Sequence, residues 1–493
     1  MNFSDFSFWW VLLLYCIPFF IVRYIGKSLK FWSDGLDRIG LAAMSLILFV
    51  NASKSSFIIF AVDVIFNYLM VRLMQSRMQS GKSAEARLIA GITIVIDVAI
   101  LAYLKYLTFF VEDVFGLAVG GVEENWKKDF PLPIFAVIPP GVSFYTFQMV
   151  GFVVDSIKPK YKKPLGFLDY INFISLFPQI VAGPIERRAD LLPQIQTFKF
   201  KFTVDNFEEG FRWLSLGFFM KLVLADNIAP FIDLKDTGNP WFIWFYAYLF
   251  TLRIYFDFGG YSFMAVGLGR MLGIKLTFNF LAPYTSVSIQ EFWRRWHITL
   301  NNWFRDYVFL PLMGSKKQLA PFYLFLTFTL SGFWHGAAWN FIFWGAYHGA
   351  LLLLIRYAGR PFQRLVGKYF PSGGGDFVSW ALTFGSVTLG CLFFMESNTH
   401  RLFEKLLTIV TPWTYSLSNL GDVFASYTLT QGTALIFTLV LANGVLLLEH
   451  MAIWQKRKLE YELLLLPWVS RAMLALTILL AANQPSQFIY FEF

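Results

Sequence analysis

Apolar runs close to membrane-spanning length follow one another along this chain with short charged breaks between them. Phe6–Ile25, Ile39–Val50, Phe57–Met74 and Leu88–Val111 open it; Pro321–Phe333, Ala337–Tyr357, Phe377–Met395, Gly432–Leu448 and Leu463–Ala481 close it. A hydrocarbon layer of about 30 Å takes roughly 20 helical residues to cross. Inside it every backbone N–H and C=O must be satisfied, which a helix does within itself. Only 15% of the 493 residues are charged, against about 25% in a soluble domain. Such a chain lacks the polar cover of a water-facing surface, which excludes a soluble enzyme, a fibre and a disordered protein. The expectation is an all-α polytopic membrane protein with roughly eleven to thirteen spanning or re-entrant segments. No stretch without membrane-grade hydrophobicity is long enough to fold separately. A single membrane domain over 1–493 is expected: N-terminal helices in 1–130, a motif-bearing core in 131–357 and C-terminal helices in 358–493.

The charges between the runs give an orientation. Asp5 precedes the first run and Arg23, Lys27 and Lys30 follow it, the reverse of a signal peptide. Arg72, Arg77, Lys82 and Arg87 against Glu85 mark a cytoplasmic loop. Glu112, Asp113, Glu123, Glu124 and Asp129 mark an outer one, and Lys158, Lys160, Lys162 and Lys163 an inner one. The alternation predicts an N-terminus outside. The net charge of +9 then reflects the positive-inside bias and contact with the bilayer, with no need for a nucleic-acid partner. Cys16 and Cys391 lie far apart in apolar runs and form no redox or disulfide framework.

From about Leu165 to Leu312 the apolar runs are shorter and broken, as in FPQIVAGPIERR and DFGGYSFMAVGLGR. Irregular backbone at membrane depth is tolerated where protein or a watery cavity satisfies it, so a solvated cleft is expected there.

An ionisable group within an apolar run is a functional candidate because its burial is costly. His335, in LSGFWHGAAWNFIFWGAYHG, has no acidic residue between Ala320 and Gly375 to pair with. Desolvation disfavours a charged imidazole, and the neutral ring accepts a proton from a hydroxyl. The bland alternative is a packing histidine, which Gly332 and Gly336 support equally by admitting a close helix neighbour. On one continuous helix His335 and His348 fall on different faces, which disfavours a metal pair. No H-E-x-x-H, cysteine cluster or grouped carboxylates points to a metal.

In SIQEFWRRWHITLNNWFRDYVFLPL, Arg294, His297, Asn301 and Arg305 line one face of a helix, with Trp293, Trp296, Leu300 and Trp303 on another. This predicts an amphipathic helix in the interface, with Glu291 and Arg295 as an i,i+4 pair. Its polar stripe suits a phosphate-bearing donor, and equally a topogenic helix with no ligand. His400 and His450 stand near segment ends and read as interfacial. No G-x-S-x-G, Walker or G-x-G-x-x-G motif is present, which removes a serine hydrolase, an ATP-driven pump and a dinucleotide enzyme.

Taken together, PPGVSFYTFQ (139–148), FPQIVAGPIERRADLLPQ (177–194), FDFGGYSFMAVGLGRMLGI (256–274), the segment from Asn279 to Leu312, SGFWHGAAWNFIFWGAYHG (331–349) and the terminal FIYFEF resemble the membrane-bound O-acyltransferases, in their bacterial alginate O-acetyltransferase-like branch. One departure is Phe263, where that branch usually carries Asp. The resemblance implies a helical core with a through-membrane tunnel, in a bacterial cytoplasmic (inner) membrane. It implies a donor, acetyl-CoA, entering from the cytoplasm, and an acetyl group passed to an extracytoplasmic SGNH-type partner that completes O-acetylation of a polysaccharide. The catalytic histidines it implies are His335 and His297. Arg294, Arg295, Arg187, Arg188 and Asn301 are the residues expected to hold the donor, and no metal is implied. A polysaccharide export component, or an acyltransferase acting on lipid, teichoic acid or protein, remains the alternative.

Overall fold

The computed structural model describes residues 3–115, 138–158, 164–232, 238–369, 374–482, 486, 488 and 489. Glu123, Glu124, Asp129, Lys160, Lys162, Lys163 and the last four residues of FIYFEF lie outside them. Among the described residues the regular structure is helical throughout, without strands. Eight described helical segments are long and apolar enough to cross a membrane. The protein is an all-α, multi-pass membrane protein.

Two compact units are formed, one from residues 1–210 with 265–277, the other from 211–264 with 278–493. The first holds α1 (Phe6–Ser28), α2 (Asp34–Ala52), α3 (Lys54–Gln79), α4 (Ser83–Phe109), α5 (Val142–Ser156), α6 (Phe167–Ser175) and α7 (Arg188–Gln196). Its interior holds polar groups that bond to one another. Asp37, 1% exposed, accepts from Arg23 at 2.6 and 2.8 Å and from the Trp32 indole at 2.8 Å. Gly141 caps α5 at φ +75°, where a Cβ would stand 2.4 Å from the Ile180 carbonyl oxygen. That is why the PPGVSF turn needs its glycine.

α8 (Val204–Phe218) and α9 (Pro240–Leu272) contribute residues to both units. The second unit continues with α10 (Ile289–Arg295), α11 (Ile298–Phe304), α12 (Ala320–His335), α13 (Trp339–Tyr369), α14 (Gly374–Met395), α15 (Thr399–Val410), α16 (Leu417–Ala425), α17 (Leu429–Trp454) and α18 (Pro467–Leu480). α8 runs on into a π-helical stretch, Phe219–Ala225. There Lys221 reaches Asp226 and Asp257 at 2.8 Å each, a buried triad inside this unit. α12 and α13 pack at their glycines. A Cβ on Gly332 would lie 2.2 Å from the Phe341 carbonyl oxygen, and one on Gly345 would lie 2.3 Å from that of Phe328.

The structure corrects two sequence expectations. The segment around Trp293 and Trp303 is two seven-residue helices rather than one amphipathic helix. His297 breaks it in a left-handed conformation, φ +42°, which histidine adopts more readily than most residues. Its ring is buried, 1% exposed, rather than turned to the interface. His335 and His348 do not share a continuous helix either. α12 ends at His335 and α13 begins at Trp339, so the turn between them brings both rings to one cavity.

Candidate active site

His335 occupies the last position of α12, 5% exposed, walled by Trp334, Trp344 and Phe394 with ring centroids 5.0, 5.1 and 5.2 Å away. The imidazole of His297 stands 6.5 Å from it, centroid to centroid. Phe258 packs edge-on against His297 at 4.8 Å.

The position of His297 is fixed through its backbone neighbours. Ile298 N–H donates to the Asn279 carbonyl at 2.9 Å, and Leu281 N–H donates to the Arg295 carbonyl at 3.0 Å. These bonds bracket residue 297 from both sides. Asn279 is itself buried, and its side-chain oxygen accepts from the Thr299 hydroxyl at 2.5 Å. Burial pushes the pKa of His297 down, to about 3. The ring is therefore neutral near pH 7 and can accept a proton.

A small cavity of about 20 Å³ adjoins His335, lined among others by Tyr284, Trp296, Trp344, His348, Cys391 and Phe394. His348 and Cys391 were not picked out from sequence. The signal was available in Gly336 directly after His335, a helix-stop residue at the helix end that separates the two histidines onto two helices. Phe263, the departure from the family pattern, is 0% exposed and packs on Trp213 and Tyr461 at 5.1 and 4.7 Å. An aromatic cluster occupies that place. From the terminal segment, Phe488 stacks on Tyr261 at 4.7 Å and Ile489 N–H donates to Asp257 at 2.6 Å. Phe488 also meets Phe258, the ring that backs His297.

The expected donor-holding residues are placed differently from one another. Arg294 is exposed. Arg295 accompanies Glu291 at 3.0 Å, as the i,i+4 spacing predicts, and reaches Glu460 at 3.3 Å. Asn301 donates to the carbonyls of Trp293 and Trp296 at 2.8 and 2.7 Å, closing the end of α10. Arg187 and Arg188 belong to the first unit, where Arg188 is buried, bonded to Ser156 and set over the Phe152 ring at 4.6 Å. Among the described residues no three His, Cys, Asp or Glu side chains group as a metal site. His400 and His450 are exposed.

Residues 151–395, which contain both histidines, match the family described as membrane-bound O-acyltransferase. A "probable alginate O-acetylase" of Pseudomonas aeruginosa is 34% identical over 78% of this chain and 72% of its own length. The chain belongs to the membrane-bound O-acyltransferase family. A peptidoglycan O-acetyltransferase of Helicobacter pylori is 30% identical over 80% of this chain and 76% of its own. A teichoic acid D-alanyltransferase of Bacillus subtilis is 30% identical over 53% and 69% respectively. The protein is an O-acyltransferase of the membrane.

Proposed function

We propose that this O-acyltransferase takes an acetyl group from cytoplasmic acetyl-CoA and passes it across a bacterial inner membrane for O-acetylation of an extracytoplasmic, alginate-like polysaccharide. The N-terminus is outside in this reading, and an SGNH-type partner completes the modification. The observation that carries it is the pair of buried imidazoles, His335 and His297, 6.5 Å apart beside an aromatic cavity. The acceptor hydroxyl gives its proton to His335 as its oxygen attacks the thioester carbonyl. The C–S bond then breaks, and the proton passes from the imidazole to the departing thiolate. General-base assistance of this kind is worth about 10² to 10⁴ in rate, with orientation supplying the rest.

Coenzyme A carries several negative charges and stays out of hydrocarbon, so basic groups must hold it at the cytoplasmic face. Among the four arginines considered, Arg294 is the exposed one and is proposed to meet the donor's phosphates. Arg187, Arg188, Arg295 and Asn301 are proposed in supporting roles. The acetylase and acetyltransferase names of relatives matched over most of the chain favour acetyl and polysaccharide. The D-alanyltransferase, matched over about half of it, favours teichoic acid less.

Two measurements test this. Purified protein in nanodiscs should consume labelled acetyl-CoA, and His335→Ala, equally well inserted, should not. Mass spectrometry of envelope fractions from a deletion strain should show acetyl lost from the polysaccharide. Undiminished turnover by His335→Ala removes the catalytic claim; acyl groups lost only from lipid, teichoic acid or protein remove the acceptor.

A further inference from the structure

The chemistry proposed above leaves several buried acids of the second unit unused, Glu449 among them. Glu449 is in the α17 span and is 0% exposed, although the sequence places it near a segment end beside exposed His450. A carboxyl group at such a position is costly to bury and is retained where something depends on it. It accepts a hydrogen bond from the Tyr255 hydroxyl at 2.6 Å through Oε1, while Oε2 has no hydrogen-bond partner among the described residues.

From Tyr255 a chain of bonds runs to the loop that carries His297. The Tyr255 and Tyr461 hydroxyls are 3.2 Å apart, and the Ala282 N–H donates to Tyr461 at 2.6 Å. Each phenol has one proton to give. Since that of Tyr255 goes to Glu449, that of Tyr461 goes to Tyr255, and the Tyr461 oxygen is left to receive Ala282. The direction of the whole chain follows from one acceptor at its end. Ala282 is left-handed, φ +46°, and fully buried. An alanine holds that conformation at a cost of about 1 kcal/mol or more, so something must fix it. It directly follows Leu281, whose N–H and carbonyl both bond to Arg295, two residues before His297. Tyr255 also packs against Phe280 and Trp296, the two aromatic rings flanking this junction, at 5.9 and 6.3 Å.

We propose that Glu449 is a positioning residue for His297, acting through the Tyr255–Tyr461 hydroxyl pair and Ala282. The inference rests on the reading that His297 serves the acyl transfer. Its demand on residue 449 is specific: an acceptor oxygen, which an amide also supplies.

The test compares Glu449→Leu, Glu449→Gln, Tyr461→Phe and Tyr255→Phe in nanodiscs, with acetyl-CoA as the donor and activity expressed per folded molecule counted by size-exclusion fluorescence. Expected are a fall in kcat of about ten- to a hundredfold for Glu449→Leu, Tyr461→Phe and Tyr255→Phe with KM for acetyl-CoA unchanged, and near-complete retention by Glu449→Gln. Tyr461→Phe keeps its volume and supplies the answer if Glu449→Leu does not fold. Unchanged kcat in the phenylalanine variants overturns the proposal. So does a loss in Glu449→Gln as deep as in Glu449→Leu, or a rise in KM alone. An inactive wild-type protein would instead sink the acetyl-CoA reading.

Discussion

Two imidazoles 6.5 Å apart are held in place by different physical means. His297 sits at a break between two short helices, in a strained backbone conformation, secured by the hydrogen bond that the Ile298 N–H donates to the Asn279 carbonyl and the one that the Leu281 N–H donates to the Arg295 carbonyl. His335 ends a regular helix and is placed by the close crossing of α12 and α13 at Gly332 and Gly345. The first arrangement depends on polar partners, each of which costs about 1–3 kcal/mol if its mate is removed. The second depends on van der Waals contact between backbones, the force that drives helix association where no water is present. The junction at 297 should therefore be sensitive to lost acceptors, and the crossing below 335 to added volume.

The largest effect expected is at the crossing. Gly332→Ala puts a methyl carbon 2.2 Å from a backbone oxygen, and Gly345→Ala one at 2.3 Å. Neither obstacle is a side chain that can swing away. Each should lower stability by about 3 kcal/mol or more, seen as loss of folded protein in thermal unfolding in detergent. Gly444→Ala in α17, where a Cβ meets nothing within 4 Å, is the control and should be neutral or slightly stabilising. Equal behaviour of the three would break the claim that packing places His335.

Next comes Asn279→Ala, which leaves the Thr299 hydroxyl without its acceptor inside a dry interior. A loss of about 2 kcal/mol is expected, with acyl transfer per folded molecule also reduced because His297 shifts. Wild-type turnover in this variant would show that the junction tolerates disorder.

How much of this was legible in the sequence follows from the same distinction. The first four helices are visible in the sequence because each is an apolar run with charged ends, and hydrocarbon permits little else. His335 stood out because an ionisable ring in an apolar run is costly. The Glu291–Arg295 pair was a local i,i+4 spacing and is present at 3.0 Å. The break at His297 was not legible, because SIQEFWRRWHITLNNWF has no glycine or proline to stop a helix; its partners come from Asn279 and Leu281, residues distant in sequence. The approach of His348 to His335 is not legible from periodicity either, because it depends on the helix ending at Gly336. Arg188 is engaged by Phe152 and Ser156, more than thirty residues away, which its own segment does not reveal. Periodicity reports neighbours along a helix; it says nothing of such distant partners.

A smaller effect separates the two backbones themselves. At residue 297, glycine relieves the left-handed strain that alanine keeps, so His297→Gly should be more stable than His297→Ala by about 1 kcal/mol. At residue 335, helical in conformation, the sign should invert, with His335→Gly less stable than His335→Ala by about 0.5–1 kcal/mol. Both 297 variants should transfer the acyl group more slowly than wild type. The same sign at both positions in thermal unfolding would erase the difference between the two sites.

The smallest effect tests whether backbone donors keep a polar group buried elsewhere by the same device as at 297. In the first unit Glu186, 4% exposed, accepts from the Thr277 N–H at 2.6 Å and its hydroxyl at 3.1 Å. Burial outweighs those bonds and pushes its pKa up, to about 7, from an ordinary 4.5. The folded protein then holds a proton that the unfolded chain has released between these values, so stability falls as pH rises from about 4.5 to about 7 and is level above. Glu186→Gln keeps an acceptor for the Thr277 N–H and cannot titrate. Its unfolding temperature should lose that slope while remaining within about 1 kcal/mol of wild type at neutral pH. If the slope survives in the variant, another group carries it. If instead stability collapses at neutral pH, the carboxylate is holding Thr277 by its charge, and the parallel with the hydrogen-bonded junction at 297 fails.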